Sequence, residues 1–212
     1  MKKVGILGAG RQASETAHYL IEDGYEIEFF FTEHNYKESN TKLEEIAPIR
    51  TEKDELKEYS QVNVISAVGS PLVKKRLIEL WPYKNYINFV HSTSWLAQGV
   101  ELGSGVTIAP MCVVNTNVSI SDHVLINIGS TISHDTVISD YVTLCPKVSI
   151  AGKVKLGEGI FLGIGSNVID DIHIASGVIV AAGATVTTNI EKNMMVAGVP
   201  AIKKKSLSEW YK

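Results

Sequence analysis

From Val90 onward an aliphatic residue falls at every sixth position. The column runs Val90, Leu96, Leu102, Ile108, Val114, Ile120 and on to Val180 and Val186, and all 17 of its positions hold Leu, Ile or Val. The fifth position of each hexad is also small or aliphatic, as at Val100, Cys112, Ser130, Thr136, Ser166 and Ala184. An α-helix repeats every 3.6 residues and a strand every 2, so neither produces this register. A hexapeptide β-helix does: each short strand covers one face of a triangular prism, and the aliphatic residue fills its axis. Three hexads make an 18-residue coil, so the 102 residues in register give between five and six coils.

The part before this repeat has a different composition. Residues 1–89 carry 26 of the 43 charged residues, whereas Val plus Ile number 13 before residue 90 and 32 from there on. The expected division is a first domain over 1–88 and a β-helix domain over 89–212 with a short C-terminal tail. In the first part, a strand over 3–7, a tight turn over 8–13, a helix over 14–22 and a second strand over 26–31 alternate. Short helical pieces over 44–46 and 54–59, a buried strand over 62–68, a helix from Pro71 to Leu80 and a last strand over 86–90 follow. Alternating β and α elements in so few residues predict a small parallel sheet of Rossmann type, giving an α/β N-terminal domain. The net charge of −3 excludes a strongly basic nucleic-acid surface. Two cysteines, Cys112 and Cys145, exclude a disulfide scaffold and point to a reduced, cytoplasmic setting. No apolar run is long enough to predict a membrane span, and the N-terminal apolar run lacks a signal-peptide cleavage pattern.

The coil period locates a candidate site. Residue n lies about 4.8 Å below residue n+18. His134 therefore lies under Gly152, and Gly152 under Asp170, all at the third position of a hexad, near a corner of the prism. An imidazole titrates near pH ~6.5 in an ordinary environment and takes a proton from a nucleophile at neutral pH. Asp135 is placed to orient the ring and stabilise the imidazolium, and the Gly152 N–H to donate to a tetrahedral oxyanion. In the first domain, Gly8-Ala9-Gly10 between a strand and a helix brings backbone N–H groups towards a phosphate. The third glycine of a dinucleotide fingerprint is replaced by Ala13, Glu33 follows the second strand, and no NAD-dependent redox chemistry is assigned.

The hexads, the turn glycines Gly157, Gly163, Gly165 and Gly183, the closing Gly198-Val199-Pro200-Ala201 and the Gly8-Ala9-Gly10 loop together resemble a known group. These are the left-handed β-helix sugar acetyltransferases of the sialic acid O-acetyltransferase and nucleotide-aminosugar N-acetyltransferase family. The sharpest local motif is Ser133-His134-Asp135-Thr136-Val137-Ile138-Ser139-Asp140-Tyr141, followed by Ala151-Gly152. The resemblance implies a left-handed coil, a homotrimer and acetyl-CoA bound between neighbouring β-helices. It implies His134 as general base, Asp135 as its support, and Gly152 as the oxyanion donor on the cofactor side. It places Thr143, Ile164, Ala182 and Gly183 against acetyl-CoA, and Asn127 near the base and the acceptor. The family's substrate loop commonly reads Gly-x-Gly-Gly-His; here Gly8 and Gly10 are kept, but Arg11 and Gln12 hold the last two places. Thr32-Glu33 stands where the family has an acidic pair.

The expected function is acetyl-CoA-dependent transfer of an acetyl group to the amino group of a nucleotide-linked sugar in bacterial surface-glycan biosynthesis. O-acetylation of a sialic-acid-like sugar is the alternative. A metal hydrolyase on the same scaffold needs three converging histidines, whereas His123, His134 and His173 occupy different hexad positions, so no metal is expected. A non-catalytic sugar-nucleotide binding protein leaves the His134 motif without a purpose. His123 and His173 are read as surface residues, Cys112 as a core filler, and Lys203-Lys204-Lys205 as a solvated tail.

Overall fold

The computed structural model describes residues 2–33 and 41–208; the last four residues of the expected tail lie outside them. β1 (Lys2–Leu7), α1 (Arg11–Glu22), β2 (Tyr25–Phe31), α2 (Thr41–Glu44), β3 (Ile49–Arg50), β4 (Asn63–Ser66) and α3 (Pro71–Leu80) build the N-terminal unit. Its four strands are parallel, in the order β3-β2-β1-β4. This is the Rossmann-type sheet that the alternation predicts, and Val4, Ile6, Phe30 and Ile65 fill its core.

Three local expectations change. The helix begins at Arg11 rather than residue 14, because Gly10 already adopts the extended N-cap conformation and Arg11 and Gln12 are good helix formers. β3 is a two-residue edge strand, too short to leave a periodic signal. The strand expected over 86–90 is divided. Tyr86 makes an isolated bridge to Val64, while Phe89–Val90 (β5) pairs with Thr107–Ile108. The Phe89 side chain still packs in the α/β core, whereas Val90 packs against the prism, so this segment turns one hydrophobic core into the other.

Two-residue strands then follow at six-residue intervals, from β5 through Trp95–Leu96 and Glu101–Leu102 to Thr185–Val186. They form three parallel sheets in which each residue pairs with the one 18 further on, as in Ser119↔Val137, Leu125↔Thr143 and Thr131↔Ser149. The second residue of each strand belongs to the six-residue column. From Ile108 to Val186 these residues form a continuous buried axis with the fifth-position side chains, including Cys112.

The coil shortens at its far end. Ile179 pairs with Met195 and Val180 with Val196, an offset of 16. Lys203–Lys205 do not form a loose tail. They lie in the strand Ile202–Ser206, which pairs antiparallel with Met194–Ala197 at the edge of the prism sheet and is exposed throughout. Among the described residues, no helix is long and apolar enough to cross a membrane.

Candidate functional site

From Gly99 to Gly183 the fourth position of each hexad turns the chain with a positive φ, so the side chains at the third and fourth positions point outward at the corners. At one corner His134 and Asp135 emerge side by side, with side chains 50% and 44% exposed. His134 Nδ1 lies 2.8 Å from Asp135 Oδ2. With the Nδ1 proton donated to that carboxylate, Nε2 is the free acceptor of the ring. The bond to His134 and a second bond from Asn117 hold the Asp135 carboxyl below the usual carboxylate range.

Gly152 sits one coil above, where the arithmetic puts it. A Cβ at this position would lie 2.7 Å from His134 Cε1 and 2.8 Å from Nε2, so the missing side chain is the space the ring occupies. The expected oxyanion donor is engaged: the Gly152 N–H donates to Asp170 Oδ1 at 3.1 Å. The same contact from a backbone N–H to a side-chain oxygen 18 residues on recurs at Ser104–Asp122, Asp122–Asp140 and Glu158–Ser176. Asp170 therefore joins a general device of the corners.

The residues assigned to acetyl-CoA fall elsewhere. Ile164, 54% exposed, and the exposed Ala182 and Gly183 lie at a different corner from His134. Thr143 does not reach the surface. It is buried behind α3, and its Oγ1 accepts a hydrogen bond from Lys74 at 2.9 Å. The single chain thus does not bring the whole set together.

Gly8 ends β1 with a φ of +134° and packs so closely on Ala67 that a Cβ would meet the Ala67 carbonyl oxygen at 2.7 Å. Gly10, its surroundings open, caps α1 without a side-chain bond, and Arg11 is exposed on the first turn. Gln12 and Asn127 meet each other: Asn127 Nδ2 donates to Gln12 Oε1 at 3.0 Å, which ties the glycine loop to the prism. Glu33 is paired with Arg76 on α3 at 2.7 Å.

Sequence reasoning missed the seam between the two units. Lys74 is fully buried and donates to the carbonyls of His123 (3.0 Å) and Val142 (3.2 Å) as well as to Thr143. Burial without a carboxylate partner lowers its pKa to about 7. Its signal was its place on the inner face of α3, between Pro71 and Leu77. His123 is no surface residue but 6% exposed, packed edge-on to Tyr86 and stacked on Tyr141. Desolvation lowers its pKa to about 4. Among the described residues no group of three or more His, Cys, Asp or Glu is placed to hold a metal ion.

Fold and corner together define a hexapeptide-repeat left-handed β-helix carrying an N-terminal α/β unit. Solved structures of this form include a GDP-perosamine N-acetyltransferase from Caulobacter crescentus. PerB from Caulobacter crescentus, in complex with CoA and GDP-perosamine, superposes with a TM-score of 0.84 at 25% identity, covering 96% of this chain and 97% of that one. The acetyltransferase domain of PglB from Neisseria gonorrhoeae, in complex with acetyl coenzyme A, gives 0.83 at 23%, covering 96% and 99%. WeeI from Acinetobacter baumannii gives 0.81 at 21%, covering 95% and 99%. The chain has the fold of these proteins over nearly its whole length. No protein-family profile matches it.

Proposed function

We propose that the protein transfers the acetyl group of acetyl-CoA to the amino group of a nucleotide-linked sugar in bacterial surface-glycan biosynthesis. The observation that carries this reading is the His134–Asp135 pair. Its ring is fixed through Nδ1, open at Nε2 and seated against Gly152, on a scaffold shared with enzymes that bind CoA or a nucleotide-linked amino sugar. His134 Nε2 accepts the proton as the acceptor nitrogen attacks the thioester carbonyl. Asp135 stabilises the imidazolium that forms. The tetrahedral intermediate then expels the CoA thiolate, which takes up the proton held by the His134 imidazolium as it leaves. The Gly152 N–H serves the oxyanion once the thioester oxygen has taken the place of Asp170 Oδ1.

In this reading, residues 1–88 hold the nucleotide part through Gly8, Gly10, Arg11, Gln12 and Glu33, with Asn127 at the join. Residues 89–212 hold acetyl-CoA. His134 at one corner and Ile164, Ala182 and Gly183 at another support a site completed between subunits of a trimer, in the cytoplasm. Free-thiol release from acetyl-CoA, measured against a panel of nucleotide-linked amino sugars and nonulosonic sugars, tests the reading. Turnover is expected with an amino sugar and is expected to fall about 10²–10⁴-fold in His134→Ala. Wild-type turnover in that variant overturns the mechanism.

A further inference from the structure

We infer that Asn117 is a positioning residue for the His134–Asp135 pair, fixing the far oxygen of the carboxylate so that the near one stays on the imidazole. Asn117 lies one coil below Asp135 in the same fourth-position column. Its Nδ2 donates to Asp135 Oδ1 at 3.1 Å, while Asp135 Oδ2 meets His134 Nδ1 at 2.8 Å. Each carboxylate oxygen thus has its own partner. A half-exposed aspartate with one tether rotates freely between water and its neighbour; with two, its plane is set.

The turn does not dictate this side chain. The fourth position requires a left-handed φ, +56° at Asn117, yet Met111, His123, Tyr141, Lys147 and Lys153 adopt the same conformation at equivalent places. What distinguishes Asn117 is a donor at the height of the Asp135 carboxylate. Lys153, one coil above, adds its positive charge and favours the ionised acid from the other side. The column Asn117–Asp135–Lys153 therefore holds the carboxylate in place and charged. The proton of the neutral His134 ring then stays on Nδ1, and Nε2 carries the lone pair. A neutral imidazole free in water prefers the opposite tautomer, so the arrangement works against the ring's own preference.

This inference rests on the acetyl-transfer reading for its kinetic consequence, but its primary test does not. The ¹⁵N shifts of His134 in labelled protein report the tautomer directly. Asn117→Gly keeps the left-handed turn and removes the donor; Asn117→Asp keeps the shape and replaces the donor with a second carboxylate. Wild-type His134 is expected to carry its proton on Nδ1, and both variants to shift towards the Nε2–H form. With an acceptor that the sugar panel identifies, kcat is expected to fall about ten-fold while the KM for acetyl-CoA stays within about two-fold. An unchanged tautomer in both variants overturns the inference, whatever happens to kcat. A tautomer shift in a protein that turns over no acetyl-CoA supports the inference and removes the enzymatic reading.

Discussion

At residue 152 the side chain is absent because another residue's ring fills its place. Gly152 has an unstrained φ, so an alanine there is acceptable to the backbone and offends only the His134 imidazole. Gly152→Ala is therefore expected to leave the melting temperature within a few degrees of wild type while turnover falls at least about ten-fold, because the base is pushed off its line of attack. Calorimetry beside the CoA-release assay checks both halves. This residue was legible in the sequence, since the 18-residue coil puts 152 over 134 without any structure. Asn117 was equally accessible to the same arithmetic, being 18 before Asp135. An asparagine at a turn has an ordinary explanation, so spacing alone does not single it out. Asp170 was also placed correctly in the column, but its bond to the Gly152 N–H depends on a rotamer that spacing does not specify.

Among the elements, α3 carries the join between the two units. Its Lys74 gives all three of its donors to the prism. Lys74→Met leaves two carbonyls and a hydroxyl without this partner and is expected to cost about 1–3 kcal/mol in urea unfolding. The pH dependence has a definite sign. The folded pKa of about 7 lies below the ordinary lysine value of 10.5, so between these the unfolded chain binds the extra proton. Stability from this group rises with pH across that window, and the rise is expected to be absent in Lys74→Met. His123 acts at lower pH. Its folded pKa of about 4, against 6.5 in the unfolded chain, makes its contribution complete above pH 6.5 and lost as pH falls towards 4. His123→Phe keeps an aromatic ring between Tyr86 and Tyr141, and its unfolding midpoint is expected to fall less steeply over that range. Only part of this seam was readable in advance: Tyr141 lies 18 residues after His123, one coil above it in the same column. A lysine on an apolar face reveals its partners only when two distant segments meet, and here those segments are 49 and 68 residues apart. The prism was readable because its contacts recur at one fixed separation.

For the whole molecule, the prism leaves apolar side chains on its outside. Trp95, Met111 and Val113, exposed by 56, 63 and 40%, cluster on neighbouring positions at the start of the coil, and Ile164, 54% exposed, lies higher up. For the proposed trimer, light scattering is expected to give a mass about three times the 23.1 kDa chain. A monomer that retains full turnover contradicts a site shared between subunits. The two ends of the prism pose a different problem. A stack of identical parallel coils has no internal reason to stop, since each exposed edge is a template for the next strand, including one from another copy. Here the final pairing loses two residues, and the chain then reverses into a strand bearing Lys203, Lys204 and Lys205. The reversal breaks the parallel template, and the lysines add charge repulsion to any edge that approaches. The closing segment is thus a terminator of growth, and the same repeat that makes the scaffold regular would, without it, make the protein a candidate for end-to-end polymerisation.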